Sequence, residues 1–66
     1  MGAIYDIKAK VEDIIKERKL DSAAVRGAIG LKAGFMMAFV KPETPDDPAK
    51  LEKLRHAVAL ILNVRF

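Results

Sequence analysis

The sequence predicts an all-α fold, a three-helix up-and-down bundle completed by homodimerisation. Three observations predict it. Ile4, Ile7, Val11, Ile14 and Ile15 recur at helical spacing and share an arc of roughly 100°. Residues 22–40, SAAVRGAIGLKAGFMMAFV, are apolar around most of a helical wheel and so need cover on more than one side. Asp47-Pro48 opens a further helical pattern in which Leu51, Leu54, Val58, Ile61 and Leu62 form one stripe. Sixty-six residues without cysteine leave no disulfide or thiolate metal site to support a small core, and small domains of that kind idealise their helix packing or self-associate. The 52% hydrophobic fraction points the same way, because a single domain of residues 1–66 has little interior in which to hide it.

Helix 1 is expected over about 3–19. Asp6–Lys10 and Glu12–Lys16 are acid-before-base pairs at i,i+4, each adding ~0.2–0.5 kcal/mol. Arg18 and Lys19 complement the helix dipole at its C-terminal end. Leu20-Asp21-Ser22 then makes a turn short enough to join antiparallel neighbours, with Asp21 or Ser22 as the next N-cap.

Helix 2 is expected over about 22–40 and is the element around which the others are arranged. On a continuous helix, Ala23, Gly27, Gly30, Gly34 and Ala38 line one side as a small-residue groove. Val25, Ala28, Ile29, Phe35, Met36 and Phe39 fall opposite. Each interior Gly costs ~1 kcal/mol relative to Ala, which close approach of a second helix would offset. The groove is therefore expected at a contact between chains. A break at Gly30 would give a helix-turn-helix, but Arg26 then occupies the position that wants a small buried residue, and the second helix offers few donors for base edges.

Lys41–Asp47, KPETPDD, is the clear loop, with Pro42 and Pro45 ending helix 2. Helix 3 is expected over about 48–63, with Asp47 as N-cap and Pro48 at the first helical position; a start at Thr44 is weaker because Pro48 would remove a hydrogen bond. From Ala57 onward the pattern is apolar all round, and Leu60 points away from the core stripe. FMMAFV and VALIL are also β-prone, which leaves a strand pair as the competing assignment.

The candidate interface set is Ala23, Gly27, Gly30, Gly34, Ala38, Lys32, Phe35, Met36, Phe39 and Leu60. Lys32 lies on the bulky side of the wheel, where a lysine snorkels or fixes the register of a contact. His56 has Glu52 four residues before it and Asn63 seven after, on one side of a helix, yet no nucleophile accompanies them in sequence. No catalytic, cofactor or metal residue is assigned, and the chain is not read as an enzyme.

Net charge is +3 and pI about 9.5. Residues 1–20 carry five positive and four negative charges, residues 21–41 three and one, and residues 42–66 four and four. No block is basic enough for a dedicated nucleic-acid surface, so a nucleic-acid-associated regulator is the runner-up. A cationic membrane-active peptide ranks lower, because helix 1 carries four acids and 27–40 is too short to span a bilayer. No secretory signal is legible, and a cytoplasmic location is expected. The leading expectation is a non-catalytic, self-associating protein-interaction module or regulatory subunit, its partners being itself and another protein.

Overall fold

The structure, a computed structural model, describes residues 2–65; Met1 and Phe66, counted in the single domain above, lie outside the described residues. It contains three α-helices and one short 3₁₀ turn: α1 (Ala3–Arg18), α2 (Ser22–Ala33), the 3₁₀ segment Met37–Phe39, and α3 (Pro48–Leu62). No strand occurs among the described residues, so VALIL stays within α3 and FMMAFV becomes the 3₁₀ segment and its flanks.

Side-chain to backbone ties fix the direction of each helix. Asp46, just before α3, accepts from the N–H groups of Ala3 (3.1 Å) and Ile4 (3.4 Å) at the start of α1. At the other end, Arg18 Nη1 of α1 donates to the Leu62 carbonyl of α3 (2.7 Å). Hence α1 and α3 run in the same direction, and α2, joined to α1 by Lys19-Leu20-Asp21, returns between them. The expected up-and-down order is present, with α2 packed most extensively on α3.

The core follows the stripes read from the sequence, except that Ile14, Leu51 and Ile61 are only partly buried and Ala33 and Ala57 join it. Ile4, Ile7, Val11 and Ile15 of α1 meet Ile29 and Ala33 of α2 and Leu54, Ala57, Val58 and Leu62 of α3, all buried. Residues at i, i+3, i+4 and i+7 stack on one helix face, so these spacings give each helix one continuous apolar side. The described residues include no buried polar or charged side chain.

Helix ends follow local chemistry. Asp47 caps α3 through Ala49 N–H (2.9 Å), with Pro48 at the first position. Thr44 instead uses its hydroxyl oxygen to accept from Lys41 N–H (2.8 Å) within the loop, so the earlier start is not used. Asp21 caps α2 by accepting from Ala23 and Ala24. α1 closes with Lys19 in the left-handed region (φ 54°); Lys19 N–H donates to Lys16 and Leu20 N–H to Ile15, a Schellman arrangement.

The main correction concerns helix 2. It ends at Ala33 rather than near Val40, because Gly34 adopts φ +82° and donates its N–H to the Gly30 carbonyl (2.9 Å). Glycine takes that conformation without the Cβ clash that penalises other residues. After the break the chain makes a 3₁₀ turn, in which residues three apart eclipse. Met37 and Val40 therefore share the inner side and are buried, while Met36 and Phe39 share the outer side. The packing of Met37 and Val40 against the core is what the break makes possible.

Candidate functional site

The expected small-residue groove does not exist as one surface. Ala23 is exposed and Gly27 half-buried near the start of α2, and a Cβ at Gly27 would meet nothing within 4 Å. Gly30 faces inward: a Cβ there would lie 2.7 Å from Met36 Sδ and 3.5 Å from the Phe35 carbonyl oxygen. Its smallness leaves room for the Met36 thioether of the same chain. Gly34 is the helix cap, and Ala38 is exposed on the 3₁₀ turn. The correction has the same cause as the shortened helix, since the five residues align only if α2 continues past Gly34.

Lys32 also moves. With α2 ending at Ala33, Met36 and Phe39 no longer flank it, and it is an exposed cation in the last helical turn, where it complements the dipole. Leu60 is 57% exposed on α3, ten residues beyond Lys50 and so about 15 Å further along the helix. Lys50 lies over the Phe35 ring (5.7 Å to its centroid), so Leu60 and the Phe35 region occupy different ends of the bundle.

What the structure does bring together is the joint after α2. Phe35, Met36 and Phe39 border a shallow groove of about 150 Å³, with Ile4 and Val40 as further apolar lining and Thr44 and Lys50 beside them. Phe39 is 79% exposed and Met36 44% exposed. Lys8 Nζ donates to the Val40 carbonyl (2.7 Å), which pins the end of the turn against α1. Lys50 over Phe35 is a cation–π contact of the exposed kind, worth ~0.5–1 kcal/mol.

No family model, curated protein or solved structure matches this chain.

Arg26 reaches from α2 to Glu12 of α1 and donates from Nε (3.0 Å) and Nη2 (2.6 Å) to Oε1, with Nη2 also against Oε2. The hydrogen bond to Glu12, then its charge, raise the Arg26 pKa against a small opposing effect of burial. This forked pair locks the α1–α2 hairpin. His56 is exposed, and Glu52 turns its carboxylate toward Arg55 (3.9 Å). Among the described residues no three His, Asp or Glu side chains converge as a metal site, and no helix is long and apolar enough to cross a membrane.

Two surface residues escaped the sequence reading. Leu31, at 89% exposure, is the most exposed large apolar side chain among the described residues. Its position 200° from Ile29 on the wheel was the available signal. Lys50 gave none, because its approach to Phe35 depends on how the loop returns.

Proposed function

We propose that this chain is a small non-catalytic helical module that acts by association, first with a second copy of itself and through that assembly with another protein. The observation that carries the reading is the set of large apolar side chains left uncovered among the described residues: Leu20, Leu31, Met36, Phe39 and Leu60. Single exposed apolar residues are ordinary, but aromatic and methionine side chains gathered at one groove are the composition of interface cores. A regulatory subunit is the natural role for such a module, because its recognisable chemistry lies in its surface. The nucleic-acid reading has less support. Arg26 is paired with Glu12, and Arg18 and Lys8 are committed to backbone carbonyls, which leaves a dispersed set of cations.

Sedimentation equilibrium across low to high micromolar concentration tests the proposal. A monomer–dimer equilibrium and a melting temperature that rises with concentration are expected. A chain that remains monomeric throughout would refute it. Steeply salt-dependent binding to duplex or single-stranded nucleic acid would favour the runner-up instead.

A further inference from the structure

The joint between α2 and α3 presents its apolar residues in an order that suits pairing with an identical surface. The outer side of the 3₁₀ turn holds Met36 and Phe39, and the groove beside them is floored by Ile4 and Val40. About 150 Å³ is the volume of a cavity that accepts one benzene ring, and an exposed phenyl group stands at the edge of this one. Ring and receptacle thus occur side by side on the same face. In a two-fold contact each copy can offer its ring to the other's groove, because the same patch is used twice.

The charges around the patch support a second copy over a partner of one sign. Lys50 lines the groove, Asp46 is bonded to the N–H of Ile4 at its floor, and Lys41 and Glu43 adjoin Val40 and Thr44 in the chain, two of each sign. A rim of one sign repels its own copy, whereas a balanced rim lets each cation meet an acid across the axis. A buried aromatic ringed by polar groups is also the arrangement in which interface energy concentrates.

We propose that two copies of this chain pair isologously at the α2–α3 joint, with Phe39 of each copy seated in the other's Ile4–Met36–Val40 groove. The inference rests on the self-association read above and adds its surface. It excludes Leu60 from the contact, since Leu60 lies toward the other end of α3.

The test compares Phe39→Asp with Leu60→Asp by sedimentation equilibrium, each checked for native helicity by circular dichroism. Both positions are exposed, so both variants fold. Phe39→Asp should raise the dimer Kd at least 100-fold, a loss of about 2.7 kcal/mol, and Leu60→Asp should leave it within threefold. In a mixed dimer of labelled and unlabelled wild-type chains, isotope-filtered NOEs should join the Phe39 ring to the partner's Met36 methyl group. A wild-type dimer that is weakened by Leu60→Asp and not by Phe39→Asp would overturn this surface while leaving self-association intact. A dimer without those NOEs would do the same. A monomeric wild type would overturn both, and one whose Phe39 signals shift on adding anionic vesicles would identify a lipid surface as the occupant instead.

Discussion

Replacing Gly34 with Ala separates two architectures by the sign of its effect. If the chain remained helical through position 34, alanine would stabilise it by ~1 kcal/mol through helix propensity. In the structure Gly34 has φ +82° and caps α2. An L-residue in the left-handed region costs roughly 1–2 kcal/mol, against which alanine recovers ~0.4–1 kcal/mol by restricting the unfolded chain. The net expectation is destabilisation of about 1 kcal/mol. No neighbouring atom lies within 4 Å of the added Cβ, so the effect is conformational and not a collision. For a domain of this size, that lowers the melting temperature by about 4–8 °C. D-alanine, introduced by chemical synthesis, supplies the complementary measurement. It favours positive φ while restricting the unfolded chain equally, and should raise stability by ~0.4–1 kcal/mol. Urea unfolding followed at 222 nm reads both variants. An L-alanine chain more stable than wild type, with a less stable D-alanine chain, would refute the capped helix and restore the continuous one.

Further outcomes are expected at the caps and at Gly30. Asp46→Ala should cost ~0.5–2 kcal/mol by removing the acceptor for the first N–H groups of α1. Gly2→Ala should cost a similar amount, because its Cβ would lie 2.6 Å from Asp46 Oδ1 and 3.1 Å from the Thr44 carbonyl oxygen. The double variant should cost no more than the larger single one, a non-additivity that a double-mutant cycle measures. Asp47→Ala should lower stability by ~0.5–2 kcal/mol and Thr44→Ala by less, in line with the caps each provides. Gly30→Leu should destabilise by ~1–3 kcal/mol equally at all protein concentrations, since it overfills a contact with Met36 of the same chain. Melting curves that change with concentration only in the wild type would instead place Gly30 between chains.

α1 was legible because its four isoleucines and Val11 satisfy one periodicity without competition, and its end is marked by Arg18 and Lys19. The start of α3 was legible for a chemical reason: Asp47 supplies an acceptor and Pro48 needs none of the bonds it cannot make. The end of α2 was not. Gly34 fits two patterns, as one member of a small-residue face and as a left-handed cap following Lys32 in the last turn. Which pattern holds depends on whether residues 35–40 gain more by extending the helix or by burying Met37 and Val40. The core decides that, and a local window does not contain it. The groove and the placement of Lys32 failed together for this one reason. Phe39 and Met36 remained on a common side because residues three apart align in a 3₁₀ turn nearly as they do in an α-helix. Leu60 could be read as outward-facing, but its distance from Phe39 required knowing that α3 starts beside the joint.

Because α1 and α3 run alongside one another in the same sense, Ala3 and Leu62 stand at opposite poles of a body measuring 29 × 20 × 19 Å. Ile4 places the Phe39 groove at the first of these poles. A fluorophore, surface tether or fused domain attached beyond Leu62 is therefore held away from the groove, whereas the same attachment ahead of Ala3 crowds it. Copies linked in tandem would join tail pole to groove pole, each linker lying beside the groove of the next copy. The odd number of helices thus gives the molecule a polarity, with the Phe39 groove at one pole and Leu62 at the other.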